Sequence, residues 1–232
     1  MLFRSSSGLD SISPMAAGQL YFHRREQGRL EELEGAVRQF IEDSPGIAMW
    51  PIALTRALVD ADRPDEARSV LGNVQPVEEI ARDRNWLPTL IVLTESAIAL
   101  EDRPLCTRLF DALTPHAGVN VVLGNGSLFL GSTAHYLGTL ALALGRMEEA
   151  TALIARGAEM HERMGSEPWA LRTRAEQLHL PRRHGEAASI RTLADRTASR
   201  ARTLGMVRCA ERAEAAVPEP SKGVRCSSGA SG

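Results

Sequence analysis

The sequence predicts an all-α protein, built as an α-solenoid of about five helical hairpins. Three observations predict this fold. Aromatic residues make up only 4% of the chain and apolar residues 44%, a balance that favours Ala- and Leu-rich helices over an all-β sandwich. Residues 131–165 have the pattern of two helices back to back. Similar turns recur along the chain at intervals of roughly 34 to 43 residues.

The segment 131–165 contains the clearest helical hairpin. Its first helix carries apolar residues at helical spacing, at Tyr136, Leu137, Leu140 and Leu144. Gly145 ends this helix, because glycine readily adopts the left-handed conformation of a helix C-cap. The pair Glu148-Glu149 lies in the first turn of the second helix, where the helix dipole favours carboxylates. Gly138 and Ala150 are small, and we expect them to face each other where the two helices cross.

Five short turns define the repeat: Gly28-Arg29, Asp62-Arg63, Asp102-Arg103, Gly145-Arg146 and His184-Gly185. The first, second and fourth turns are followed at the same offset by two adjacent acids. The third turn departs from this pattern, because Leu105 and Cys106 stand where the acids would be. A single hairpin cannot bury its apolar face alone, so hairpins of this kind stack into a solenoid.

The other elements are assigned from apolar spacing and from Gly, Pro and Ser at the turns. Before the central hairpin we expect helices at 14–27, 30–43, 47–61, 65–71, 85–100 and 105–114, with one short helix at 77–81. After it we expect helices at 167–180, 186–204 and 209–216, with a turn at 181–185. The repeat domain therefore spans 14–216, between a disordered lead-in at 1–13 and a flexible tail at 217–232.

The segment 115–130 lacks a helical pattern. It contains the β-branched run Asn120-Val121-Val122, followed by the glycine-rich run 124–127. A strand is one alternative, but an isolated strand is not stable alone. We therefore expect an extended connection that packs on the helices.

Charge and cysteine content narrow the class of protein. The formal net charge is −2, so the overall balance indicates neither a nucleic-acid partner nor an anionic membrane. The cysteines Cys106, Cys209 and Cys226 have neither metal-ligand spacing nor a disulfide pattern, so we expect the cytoplasm as location. Neither a signal peptide nor a membrane-spanning run is predicted.

A family resemblance adds a function to this fold prediction. The segments that carry it are Arg24-Arg25-Glu26-Gln27-Gly28-Arg29, Arg84-Asn85-Trp86-Leu87-Pro88, Asn120-Val121-Val122, Tyr136-Leu137-Gly138, Leu144-Gly145-Arg146 with Glu149-Ala150, and His161-Glu162-Arg163-Met164-Gly165. With them, residues 21–205 resemble the C-terminal tetratricopeptide-like (TPR) region of large bacterial signalling ATPases. Those proteins carry an AAA-like or STAND-type nucleotide-binding module. Some add an adenylate or guanylate cyclase domain, and others end in the DNA-binding domain of LuxR-type transcriptional regulators. The resemblance implies a regulatory region that binds a protein or a small effector.

The activities of such parent proteins are not expected in this chain. It has no Gly-x-x-x-x-Gly-Lys-[Ser/Thr] loop, and the run 124–127 has no lysine to reach a phosphate. The stretch after Gly205 is short for a DNA-binding domain. We therefore expect neither ATP binding nor ATP hydrolysis, and we interpret the chain as a detached or truncated sensor region.

No catalytic, cofactor-binding or metal-binding residues are predicted. The histidines His116, His135 and His161 are scattered, without a cysteine or carboxylate at metal-ligand spacing. The possible groove or partner contacts are Trp86, Asn120, Tyr136, Arg196 and Arg200. Two alternatives to a binding scaffold stay open: a small enzyme with its site in the 115–130 loop, and an inert remnant of a truncated gene.

Tryptophans and arginines each allow more than one interpretation. Trp50, Trp86 and Trp169 lie near helix starts, where we expect the rings to pack, with ligand contact in the groove as the alternative. Arginines outnumber the nearby acids in the C-terminal third, at Arg191, Arg196, Arg200, Arg202, Arg208 and Arg212, and two of them, Arg196 and Arg200, share one helix face. We interpret that face first as solvated, second as a docking surface for an acidic protein, and third as a nucleic-acid surface.

Overall fold

The computed structural model describes residues 14–124, 126–181 and 187–217, and this part of the chain is mostly helical. Its helices are α1 Pro14–Gln27, α2 Glu34–Asp43, α3 Met49–Asp60, α4 Pro64–Gly72, α5 Trp86–Ala99, α6 Arg103–Leu113, α7 Thr133–Leu144, α8 Met147–Arg163, α9 Glu167–Gln177, α10 Ala187–Thr203 and α11 Val207–Glu214. The predicted predominance of helix is confirmed. Two predicted helical stretches contain 3-10 turns instead, at Leu30–Leu33 and Val77–Glu79.

Some of the predicted features lie outside the described residues. These are the lead-in at 1–13, the tail beyond residue 217, most of the turn at 181–185, Asn125 and Cys226. Within the described ranges, no helix is both long and apolar enough to cross a membrane.

The helices begin and end where local chemistry favours it. Pro64 stands in the first turn of α4, where its missing N–H costs no hydrogen bond. The carboxylate of Asp102 caps α6 by accepting a 3.0 Å hydrogen bond from the backbone N–H of Leu105. Gly145 ends α7 with φ of +76°, as the sequence predicts.

Helices that are adjacent in the chain pack against each other. The pairs α3–α4, α5–α6, α7–α8 and α10–α11 are in contact, and α3 also packs on α5, which packs on α7. The last described helix, α11, contacts both α9 and the first helix, α1. The two ends of the described chain therefore lie side by side.

A β-hairpin precedes α7, which corrects the prediction of an extended connection at 115–130. Strand β1 (Asn120–Leu123) pairs antiparallel with β2 (Leu128–Ser132), with an irregularity between Asn120 and Val122. The reason is that β1 has a partner strand directly after the glycine-rich turn, so it is not isolated. Val121 and Leu130 are buried, and they fix the hairpin on the helices.

The core consists of two apolar clusters. The larger is built from α1 to α8 with Trp169, and it includes the fully buried Leu58, Leu90 and Leu109. The smaller lies between α9, α10 and α11 and is rich in alanine: Ala175, Ala194, Ala198, Ala201, Ala210 and Ala213. Because alanine is small, these three helices approach each other closely.

The crossing of α7 and α8 differs from the prediction. Gly138 does not face Ala150. The atoms nearest to a Cβ built on Gly138 all belong to Ile154, including its backbone nitrogen at 3.0 Å. One turn away, a Cβ built on Gly157 would meet the backbone nitrogen of His135 at 3.0 Å. Ala150 is fully buried, so its inward position is confirmed although its predicted partner is wrong.

Candidate functional site

A cavity of about 530 Å³ lies between the odd-numbered helices, and we name it the Arg/Glu cavity after its charged lining. It receives side chains from α1, α3, α5, α7, α9 and α11, together with Met147 at the start of α8 and His179 just after α9. Its charged residues are Arg25, Glu26, Arg56, Glu95, Arg172, Glu176, Arg208 and Arg212. Apolar side chains, among them Ile98, Leu142 and Met147, line the rest. A cavity of this size and mixed lining is suited to a small molecule or the end of a peptide.

Four of these charges form one network at the cavity wall. Arg25 in α1 donates from Nη1 to Oε1 of Glu95 at 2.8 Å and from Nη2 to Oε1 of Glu26 at 2.7 Å. Arg172 in α9 donates from Nη2 to Oε1 of Glu95 at 3.1 Å and also pairs with Glu26. Burial raises the pKa of Glu26, but the charges of Arg172 and Arg25 outweigh it and leave this pKa below its usual value. The network therefore stays charged and joins α1, α5 and α9.

A second set of contacts attaches α11 to the cavity. Arg208 lies 3.5 Å from Asp60, which also accepts a 2.6 Å hydrogen bond from Arg56. Burial raises the pKa of Asp60. Arg212 donates from Nη2 to Glu176 at 2.8 Å. These ion pairs connect α11 with α3 and α9, on the side of the cavity where the described chain ends.

Two buried histidines and a threonine form a hydrogen-bonded chain behind the cavity. The backbone N–H of Ser132 donates to Nε2 of His161 at 2.9 Å. Nδ1 of His161 lies 2.9 Å from Oγ1 of Thr173, and Nδ1 of His135 lies 3.0 Å from the same oxygen. His135 itself lines the Arg/Glu cavity. The chain thus connects the end of β2 with the cavity through α8, α9 and α7.

Both histidines are neutral near pH 7. Burial is the main cause that lowers the pKa of His135 well below its ordinary value, and the nearby charge of Arg172 adds to it. Burial is also the main cause that lowers the pKa of His161, to about 4. A backbone hydrogen bond with Trp169 acts in the opposite direction and raises this pKa. Neither ring can therefore serve as a proton acceptor at neutral pH without a cost in free energy.

Aromatic rings support this chain of polar groups. Trp169 contacts the rings of His135 and His161, with centroids 5.6 and 5.4 Å apart, and its Nε1 donates to the carbonyl of Phe129 at 3.3 Å. The guanidinium of Arg172 lies 4.6 Å above the Trp169 ring. Gly131, with φ of +89°, lets the backbone of β2 approach that ring, because a Cβ there would lie 2.6 Å from a Trp169 ring carbon.

Of the five predicted contact residues, Tyr136 lines the Arg/Glu cavity. Its hydroxyl donates to the carbonyl of Leu130 at 2.9 Å. Trp86 is buried and packs edge-on against His116, and Asn120 is exposed on β1. The three tryptophans are all buried, which confirms the packing interpretation.

Arg196 and Arg200 lie elsewhere, in a second cleft of about 520 Å³ beside α9 and α10. They share one face of α10, as predicted. Arg200 donates to both carboxylate oxygens of Glu167, at 2.7 and 2.8 Å. Sequence reasoning therefore placed two arginines on one surface and named Arg208 and Arg212, but it did not indicate that Arg25, Arg56 and Arg172 line the larger cavity.

The charged network has one signal in the sequence that could have revealed it. Glu95 interrupts the apolar run of α5, where the residues from Leu90 to Leu93 are buried. A carboxylate in such a run needs a partner, because an unpaired buried charge is costly. Its partners, Arg25 and Arg172, lie 70 and 77 residues away in the chain, so local pattern could not identify them.

The described residues give no indication of a metal or thiol site. Among them, no group of three or more His, Cys, Asp or Glu side chains could hold a metal ion. Cys106 and Cys209 are free and buried, and burial raises the pKa of these thiols to about 11 and about 12. Both are therefore protonated and weakly nucleophilic near pH 7.

Comparisons of the chain with protein families, with curated proteins and with solved structures found no match.

Proposed function

We propose that the chain is a non-catalytic helical-repeat scaffold that binds a small effector, or a segment of a protein partner, in the Arg/Glu cavity. The observation that supports this most is that helices from along the whole described chain contribute side chains to one cavity of about 530 Å³. Apolar side chains there offer a surface for burial, and the charged network offers directional contacts. A ligand in this cavity would contact several repeats at once.

We also propose that the helices form a solenoid of TPR-like hairpins. In support of this, helices adjacent in the chain pack in pairs, and α3 packs on α5, which packs on α7. The contact between α1 and α11 adds an interface between the first and the last described helix, which an open stack of repeats lacks. Ligand contacts made on one repeat could then influence the interface between the first helix and the last.

On the family resemblance, we propose that this scaffold is the regulatory region of a cytoplasmic bacterial signalling ATPase or transcriptional regulator. The segments 24–29 and 136–138 carry part of that resemblance, and both contribute to the Arg/Glu cavity through Arg25, Glu26 and Tyr136. A nucleotide-binding module encoded in the same reading frame or operon would support this role. Its regular absence from the gene neighbourhood of close homologues would argue against it.

Ligand recovery tests the binding function directly. The chain is purified from its native cytosol, denatured, and the released small molecules are identified by mass spectrometry. Ala143 lines the cavity, so Ala143→Trp should fill it and abolish recovery of the bound compound. Ala155 is exposed on α8, so Ala155→Trp is the matched control and should keep it. Equal recovery from both variants, or none from the unmodified chain, would contradict the proposal.

A further inference from the structure

The hydrogen-bond chain behind the cavity determines which nitrogen of His161 carries the proton. Nε2 of His161 accepts the backbone N–H of Ser132 at 2.9 Å, and an amide N–H can only donate. Nε2 is therefore unprotonated. Because the imidazole is neutral, its one proton is on Nδ1, which donates to Oγ1 of Thr173 at 2.9 Å, with the Trp169 backbone as a further acceptor for the ring.

Thr173 in turn determines the tautomer of His135. Oγ1 of Thr173 already accepts from His161, so its own hydrogen is available to a second partner. The acceptor in reach is Nδ1 of His135 at 3.0 Å. If His135 carried its proton on Nδ1, the N–H groups of both histidines would point at the hydroxyl oxygen of Thr173. The hydroxyl hydrogen of Thr173 would then lose His135 as its acceptor. His135 therefore carries its proton on Nε2.

Nε2 of His135 is available to a ligand. His135 lines the Arg/Glu cavity, and its other ring nitrogen is held by the fully buried Thr173. None of the hydrogen bonds among the described residues uses Nε2 of His135. His135 as a whole is only 3% exposed, so the part of it that lines the cavity is its route to a ligand. An N–H that faces a cavity is stabilised by an acceptor there.

The charges around this donor favour an anionic acceptor. The cavity is lined by five arginines and three glutamates, and Asp60 pairs with two of these arginines, so the cations exceed the carboxylates by one. Oε1 of Glu26 and Oε1 of Glu95 are both engaged by Arg25 and Arg172. Arg172 and Arg25 are also the cations whose charges act on His135. An oxyanion at Nε2 would gain both a hydrogen bond and a favourable potential.

We propose that Nε2–H of His135 donates to an oxyanion of the bound ligand, a carboxylate or a phosphate, and that Thr173 is the positioning residue that holds His135 in this tautomer. This inference rests on the proposed function of the Arg/Glu cavity as a binding site. It adds the chemical class of the ligand and names the neutral histidine as the donor that recognises it.

Two NMR measurements test the inference. Long-range proton–nitrogen correlation on the full ¹⁵N-labelled chain at pH 7 should show His135 protonated on Nε2 and His161 protonated on Nδ1, with His135→Gln used for assignment. Titration with inorganic phosphate and with acetate should then shift the His135 ring signals in a saturable way. A response to phosphate alone or to acetate alone assigns the oxyanion. Protonation of His135 on Nδ1, or no shift with either anion, would overturn the inference.

Variants at Thr173 separate a positioning role from a packing role. Thr173→Val keeps the shape of the side chain but removes its hydroxyl. His135 should then no longer be restricted to protonation on Nε2, and anion binding should weaken roughly two- to tenfold. Thr173→Ser keeps the hydroxyl and should retain both properties. If Thr173→Val does not fold, the tautomers measured in the unmodified chain still test whether His135 is protonated on Nε2. A compound recovered in a cavity-dependent manner that leaves His135 unperturbed would refute this inference alone and preserve the proposed function.

Discussion

Arg172 in α9 pairs with Glu26 in α1, a residue 146 positions earlier in the chain. The same guanidinium reaches Glu95 in α5 and lies over the ring of Trp169. One side chain thus connects α9 with both α1 and α5. Because its side chain is only 20% exposed, its charge depends on these partners rather than on water.

We expect Arg172→Leu to destabilise the fold by about 3 kcal/mol, because it leaves two mostly buried carboxylates with half of their partners. Urea unfolding followed by circular dichroism measures the change. Arg200→Leu is the matched control: its pair with Glu167 is exposed, so the loss of stability should be much smaller than for Arg172→Leu. If the two substitutions lower the free energy of unfolding equally, the ion pairs of Arg172 do not hold α9 on α1.

Gly138→Ala should destabilise the chain by about 1–3 kcal/mol, because the added methyl group meets Ile154 where α7 crosses α8. Thermal unfolding is the measurement. Gly35→Ala is the control, since nothing lies within 4 Å of a Cβ built at Gly35 in α2. There the better helix propensity of alanine should stabilise by about 0.5–1 kcal/mol. If both substitutions destabilise the chain, or both stabilise it, Gly138 does not lie where α7 crosses α8.

Stability should fall as the pH is lowered from about 6.5 towards 4, before most carboxylates titrate. The folded chain holds His135 and His161 with pKa values below 6.5, and that of His161 at about 4. The unfolded chain therefore binds more protons in this window, so lowering the pH favours unfolding. The contribution of these histidines is fully present above pH 6.5 and is lost as the pH falls through the folded pKa.

Urea unfolding at pH 7.5, 6 and 5 measures this effect. His161→Gln removes one of the two titrations, so the difference in stability between the unmodified chain and the variant should shrink as the pH falls. A difference that stays constant between pH 7.5 and 5 would show that His161 is not held neutral in the folded state.

Much of the helical pattern was predictable because local chemistry specifies it. The limits of α1 follow from Pro14 and Gly28, and Gly145 separates α7 from α8. The register of the α7–α8 crossing was not predictable, since Ala150 and Ile154 lie one turn apart on the buried face of α8 and spacing alone does not decide which of them meets Gly138. The strand β2 was missed because Leu128-Phe129-Leu130 has no β-branched residue and directly follows a glycine-rich turn.

The candidate site was largely hidden from sequence reasoning. Tyr136 was identified, because it lies in the clearest helical pattern of the chain. The roles of His135 and His161 were not, since they depend on Thr173, which lies 38 and 12 residues away from them on another helix. Contacts of this kind arise only when α7, α8 and α9 are packed together, and no spacing rule in the sequence reports them.

Binding of an effector in the Arg/Glu cavity is the function that we propose. Isothermal titration calorimetry with the compound recovered from the unmodified chain tests it most directly. We expect one compound bound per chain, binding abolished by Ala143→Trp within the cavity, and unchanged binding in Ala155→Trp on the outer face of α8. Binding that survives in a correctly folded Ala143→Trp variant would show that the compound does not bind in the Arg/Glu cavity.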